Sequence, residues 1–274
     1  MTQLPHCYLC VSLRPLRFFF WNLTAEGAEE RGVKARRKLG MTDHILGCRV
    51  QCMASYLRVK ICGVTNVADA VQAGLLGADA IGLNFYRESP RCITPTKAES
   101  IIRDLPPFVD PVGVFVSRQL QPVFEITDQL GLRTIQLHLA DEGLILGELS
   151  TVRLIQPFHI REKNDLLRIK SYLERCRRDG GKFPAAVLVD AYVPGEHGGT
   201  GKTVPWLLLH DFQLEIPLIL AGGLTPENVA EAVRIVRPYG VDVASGVEKS
   251  PGRKDPDKMK RFIENAREAA ERLQ

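Results

Sequence analysis

A chain of 274 residues, 45% hydrophobic and 25% charged, has the apolar content of a folded protein and the length of one large barrel or two small domains. No apolar run approaches the roughly 20 residues of a membrane-spanning helix. Seven cysteines at irregular spacing fit a reducing, cytoplasmic setting better than a disulfide framework. The net charge of +4 resides wholly in residues 1–56, which leaves 28 basic and 28 acidic residues beyond them; such a neutral body offers no basic face for nucleic acid.

Residues 1–56 read unlike the remainder. Phe18-Phe19-Phe20-Trp21 precedes a charged run from Thr24 to Gly40, and no common period links the two. Arg14 and Arg17 interrupt the only apolar stretch that resembles a secretory signal, and Glu26, Glu29 and Glu30 are out of place in a transit peptide. Cys7 and Cys10 have the spacing of a metal or redox pair, but no second pair and no strand–helix context accompany them. The expectation is a non-core extension, disordered or outside the natural start, with Met41 and Met53 as candidate starts.

From Leu57 a regular alternation begins. Strands are expected at Leu57–Cys62, Ala80–Phe85, Pro111–Phe115, Thr134–Leu137, Val152–Pro157, Ala186–Asp190, Pro217–Ala221 and Val241–Ala244. Several are continuous apolar runs, as parallel strands buried on both faces require. Helices are expected at Val67–Leu76, Thr96–Asp104, Gln119–Leu130, Lys163–Arg178, Pro226–Val236 and Asp255–Leu273, with weaker connections at Asp141–Leu149 and Val204–Asp211. Pro226 suits a first helical turn entered from Thr225. Eight βα units in residues 57–274 point to an α/β fold, a single TIM-type (β/α)8 barrel. An open doubly wound sheet is the competitor. It calls for a Gly-x-Gly-x-x-Gly turn after the first strand, and Cys62-Gly63-Val64-Thr65 is not one.

Barrel chemistry collects at the C-terminal strand ends. The ends here carry Cys62, Asn84 running on to Arg91, His138, Asp190, Gly222-Gly223 and Ser245-Gly246. Gly222, Gly223, Ser245 and Gly246, with Gly199 in Gly198-Gly199-Thr200-Gly201, sit where backbone N–H groups cradle a phosphate; plain tight corners are the alternative. Cys62 and Asp190, on strands one and six, face one mouth from opposite sides and suit acid–base isomerisation. A thiol acting as base needs its pKa lowered by cations or backbone amides; otherwise Cys62 is a small buried hydrophobe. Ser89-Pro90-Arg91 holds a guanidinium fork suited to a carboxylate, or is simply a solvated loop. The other cysteines and the six histidines form no ligand pattern, so no metal site is expected.

Together these segments resemble the phosphoribosylanthranilate isomerase family of tryptophan biosynthesis. The resemblance covers residues 57–274 and rests on Val59-Lys60-Ile61-Cys62-Gly63, Gly82 to Arg91, Val112-Gly113-Val114-Phe115, Gln136-Leu137-His138, Leu188-Val189-Asp190, Gly198 to Gly201, Leu220 to Leu224 and Asp242 to Glu248. It implies a (β/α)8 barrel that isomerises an aminoaldose phosphate without cofactor or metal. Cys62 is then the general base, Asp190 the general acid, Arg91 and His138 substrate-binding residues, and the late glycine loops the phosphate site. The implied partner is a small phosphorylated aminosugar, with no nucleic acid or membrane and a monomer or homodimer as the assembly. Ala244 stands where the family usually has Ser, and Leu139-Ala140 where it has Gly and an acid.

Two other phosphate-binding barrels compete. Histidine-pathway aminoaldose isomerases pair two aspartates, which Cys62 speaks against. Indole-glycerol-phosphate synthase relies on strand-end lysines, and Lys60 falls out of phase with Cys62 only if the strand is bulged. A non-enzymatic metabolite-binding barrel needs no Cys62–Asp190 pair.

Overall fold

The computed structural model describes residues 56–117, 119–138, 151–179, 183–190 and 206–273. Residues 1–55 of the expected extension, Asp141–Leu149 and Gly199 lie outside these described residues. The eight strands β1 (Arg58–Cys62), β2 (Ala80–Asn84), β3 (Asp110–Val116), β4 (Thr134–His138), β5 (Arg153–His159), β6 (Ala186–Asp190), β7 (Leu218–Ala221) and β8 (Gly240–Val243) pair in sequence order, and β8 closes on β1. All eight pairings are parallel. The expected closed barrel is therefore the observed one.

Helices fill the connections: α1 (Val67–Leu75), α2 (Pro95–Arg103), α3 (Gln121–Gln129), α4 (Lys163–Arg178), the four-residue α5 (Trp206–Leu209), α6 (Val229–Val236) and α7 (Pro256–Glu271). Their starts follow local chemistry. Asn66, Thr94 and Asp255 cap α1, α2 and α7 by accepting backbone N–H bonds, and Pro95 and Pro256 occupy first-turn positions that need no N–H. Strands alternate between two environments. Val59, Ile61, Ile81 and Leu83 face outward into the helical layer with Ala70, Ile101, Phe262 and Ile263. Val112, Ile155, Ala186, Leu188 and Ala221 meet inside the barrel.

Among the boundaries that differ from expectation, two have a clear physical reason. Strand five continues past Pro157 to His159, because Phe158 and His159 stay in register with Val189 and Asp190. Pro157 lacks one ladder donor but does not end the pairing. The helix expected from Pro226 starts at Val229 instead. Asn228 explains the delay. Its Oδ1 accepts the Thr225 N–H at 2.8 Å and its Nδ2 donates to the Gly223 carbonyl at 2.9 Å, stitching residues 223–228 into a turn.

Helix α6 ends on Arg237, an exposed residue in the left-handed region (φ 50°, ψ 53°) just before Pro238. A Cβ is unfavourable there, and glycine is the usual occupant. Arg237→Gly should stabilise the barrel by about 0.5–1 kcal/mol, read as a raised urea midpoint at constant slope. A lowered midpoint would mean that the arginine side chain makes a compensating contact.

Candidate active site

The orientation of β1 is fixed by one side chain. Lys60 is buried, and its Nζ donates to Asp242 Oδ1 on β8 at 2.9 Å and to Gln136 Oε1 on β4 at 3.0 Å. Strands β1 and β4 are not neighbours, so the second bond crosses the barrel interior. Cys62 lies two residues on and therefore shares that inward face, at the C-terminal end. The unbroken register of β1 with both neighbours shows no bulge. With no bulge to put them out of phase, Lys60 and Cys62 both point inward.

Asp190 reaches the same interior by the same logic. It follows Ala186 and Leu188, two inward residues of β6, at a spacing of two. Its Oδ2 lies 3.6 Å from His159 Nδ1. His159, the last residue of β5, lies beyond Pro157, where the sequence pattern alone ends the strand. His138 ends β4 beside it, with ring centroids 6.4 Å apart. Its Nε2 lies 3.0 Å from Gln136 Nε2.

Space for the thiol comes from glycine. A Cβ at Gly82, the β2 residue paired with Cys62, would lie 2.6 Å from the Cys62 Sγ. Burial, the largest influence, pushes the Cys62 thiol above its ordinary range; Lys60 and Lys254 pull it down and Asp242 pushes it further up. The lowered pKa expected for a base is therefore not found: two cations are near, but burial outweighs them.

Arg91 lies across Gly63, whose φ of +70° and absent side chain admit it; a Cβ there would meet the Arg91 Cδ at 2.4 Å. The guanidinium is gripped side-on by Glu248, with Nε to Oε1 at 2.8 Å and Nη2 to Oε2 at 2.6 Å. Glu248 Oε1 also accepts from Lys254 Nζ at 2.9 Å and from the Gly252 N–H at 3.2 Å. Burial is the largest influence on Glu248 and pushes its carboxyl up, yet Arg91 and Lys254 together hold it below the usual carboxylate range. This grip leaves three of the five guanidinium N–H donors for other partners. Lysine 254 and Glu248 had no sequence signal as a pair, since only the fold brings them to Arg91.

The loops after β7 and β8 lie against each other. Gly222 and Gly223 have φ of 90° and 62°. A Cβ at Gly246 would sit 1.9 Å from the Leu224 carbonyl oxygen, so only glycine fits there. Ser245 opens a single 3-10 turn, Ser245–Val247. At Ala244, where a hydroxyl was expected from the resemblance, the backbone carbonyl is held by Lys254 Nζ at 2.9 Å.

His138 makes the site sensitive to acid. Its pKa falls from 6.5 to about 4, first through burial and then through His159 and Lys60. Between those values the unfolded chain binds a proton that the folded chain refuses, so stability falls as pH drops from about 6.5 toward 4. At pH 5 the loss should be on the order of 1–2 kcal/mol relative to pH 7.5. Paired urea titrations of the wild type and His138→Gln check this: the pH difference should shrink in the variant. An equal pH difference in both would show that His138 is not the group responsible.

Comparison with known proteins shows the family. Its model, N-(5'phosphoribosyl)anthranilate (PRA) isomerase, matches residues 59–265. The N-(5'-phosphoribosyl)anthranilate isomerase of Trichlorobacter lovleyi is 45% identical over 214 residues, spanning 78% of this chain and 99% of that protein. The crystal structure of phosphoribosyl anthranilate isomerase from Thermotoga maritima is 40% identical, covers 77% of this chain and 98% of its own, and superposes with a TM-score of 0.68. A further crystal structure of a phosphoribosyl anthranilate isomerase, in complex with reduced 1-(o-carboxyphenylamino)-1-deoxyribulose 5-phosphate, is 36% identical with a TM-score of 0.66 and covers 77% of this chain and 98% of its own. The inward Cys62 and Asp190, the glycine loops and these matches agree: the chain belongs to the N-(5'-phosphoribosyl)anthranilate isomerase family.

Proposed function

We propose that this chain converts N-(5-phosphoribosyl)anthranilate to 1-(2-carboxyphenylamino)-1-deoxyribulose 5-phosphate, an Amadori rearrangement of tryptophan biosynthesis, with Cys62 as general base and Asp190 as general acid. The observation that carries the roles is the Lys60 bridge. It sets Cys62 on the inner face of β1, the same interior that Asp190 enters from β6.

Asp190 protonates the furanose ring oxygen as the ring opens, leaving an iminium on the anthranilate nitrogen. That positive nitrogen acidifies the adjacent C–H. Cys62 takes the proton, the C–H electron pair moves toward nitrogen, and the resulting enolamine tautomerises to the aminoketone. The substrate's own nitrogen is the electron sink, so these steps call for no cofactor. The iminium also supplies a third cation near the thiol, favouring the thiolate at the moment it is needed. Arg91 takes the anthranilate carboxylate with the donors Glu248 leaves over, and His138 lies on the substrate side of β4. Gly222, Gly223, Ser245 and Gly246, with Gly199, take the phosphate. Every described residue invoked comes from one chain, which a monomer or a homodimer satisfies. Among the described residues no helix is long and apolar enough to cross a membrane. The barrel domain is assigned to residues 57–274 and residues 1–56 to an extension, in keeping with a family match that begins at residue 59.

Cys62→Ala and Asp190→Asn should each lower kcat by about 10²–10⁴-fold with little change in KM, followed as the fluorescence decay of phosphoribosylanthranilate. Normal turnover in either variant removes that residue from the mechanism.

Glu248→Gln should loosen Arg91 and act on binding: a KM raised about tenfold, equivalent to ~1.4 kcal/mol, with kcat within about threefold of wild type. A fall confined to kcat would contradict the assignment of Arg91 to the substrate carboxylate.

A further inference from the structure

The interior bonds determine more than orientation. A lysine ammonium has only hydrogens to offer, so the Gln136 atom 3.0 Å from Lys60 Nζ must be the amide oxygen. The other end of that amide, its NH2, then faces His138 Nε2 at 3.0 Å. An NH2 group can only donate, so Nε2 must be the unprotonated, accepting nitrogen of the ring. The imidazole therefore carries its single proton on Nδ1. This chain of reasoning survives any ambiguity in placing the amide oxygen and nitrogen, because Lys60 decides it.

We propose that Lys60 and Gln136 are positioning residues that set His138 as a neutral imidazole protonated on Nδ1, so that it donates a hydrogen bond to an oxygen of the bound sugar. In that state Nδ1 has no lone pair with which to take a proton, and Nε2 is committed to Gln136. His138 is thereby excluded as the base that removes the C–H proton, and that task falls to Cys62. The groups around the ring act in the same direction. Lys60 on β1 and His159 on β5 both disfavour a second positive charge at His138, and burial reinforces them. The nearby acid, Asp190 on β6, is engaged by His159 at 3.6 Å. The further acid, Asp242 on β8, is bound by Lys60.

The tautomer does not depend on the isomerase reading; the assignment of its donor to a sugar oxygen rests on that reading. Long-range proton–nitrogen NMR spectra of the full ¹⁵N-labelled chain test the tautomer directly. The His138 signals are those lost in His138→Gln. They should show the Nδ1-protonated pattern at pH 7 and keep it down to about pH 5. Gln136→Glu replaces the donating NH2 with a second accepting oxygen, so Nε2 must then carry a proton. In that variant the pattern should change to Nε2–H or to imidazolium, with the midpoint of His138 titration raised by about one unit or more.

An Nε2–H pattern in the wild type overturns the proposal, as does a wild-type His138 that titrates near pH 6.5. An unchanged tautomer in Gln136→Glu does the same. The wild-type spectrum decides the question alone if the variant folds poorly. Fluorescence decay of phosphoribosylanthranilate on the same wild-type sample separates the two readings: turnover with the wrong tautomer sinks only this inference, and the right tautomer without turnover sinks only the isomerase assignment.

Discussion

A lysine ammonium inside the barrel is the constraint on which the site rests. Most barrel interiors are layered with branched hydrophobic side chains, yet here Lys60, Gln136 and Asp242 meet in the middle, all buried. Removing an ammonium and a carboxylate from water costs several kcal/mol each, and their attraction repays it only when the remaining donors are used. The pair satisfies that condition through the added bond to Gln136. Burial, the largest single influence, lowers the Lys60 pKa, but Asp242 and Cys62 together outweigh it and the net direction is upward, so the ammonium stays charged. One cation then does three things: it ties β1 to β4 and β8, it stands beneath Cys62, and it orders the Gln136 amide.

A second set of charges organises the rim. Glu248 binds Arg91 from the β2 loop and Lys254 from beyond β8, while its own backbone carbonyl accepts from Lys258 Nζ at 2.9 Å. The β2 and β8 loops are therefore coupled through one carboxylate. Since the proposed carboxylate-binding arginine belongs to the first loop and the proposed phosphate loop to the second, Glu248 sets the distance between the two ends of a substrate. Arg91 is only partly shielded from solvent at 20% exposure of its side chain, whereas Glu248 is at 5%. The anchoring carboxylate is the fixed partner and the arginine the adjustable one.

What was legible in the sequence was whatever depends on period. The eight apolar runs showed the strands, and β6 and α4 appear with the bounds expected for them. Spacing of two also carried information: Lys60 and Cys62 share a face on any unbulged strand, and β1 is unbulged. His159 was hidden by Pro157, whose missing N–H argues locally against a strand, although pairing with β6 overrides it. Glu248, Lys254 and Asp242 are a different matter. Little local to them announces a partner, because Glu248 meets Arg91 across 157 residues and Asp242 meets Lys60 across 182, even though Lys254 is only six residues from Glu248. Ionic partners of that kind are properties of the closed barrel, not of any segment.

The departure at Ala244 illustrates which features of a loop tolerate change. A serine hydroxyl there would be one donor among several around a phosphate, and losing it leaves the loop's course untouched. That course is held by bonds to main-chain carbonyls: Lys254 Nζ donates to the Ala244 carbonyl, Lys258 Nζ to the Glu248 carbonyl, and the Asp255 N–H to the Val247 carbonyl at 2.9 Å. Gly246 is of the opposite kind, since any Cβ would drive into the Leu224 carbonyl and part the two loops. A side chain that only contributes a bond can be exchanged for backbone and lysine contacts. A missing side chain that permits close approach of two main chains has no substitute.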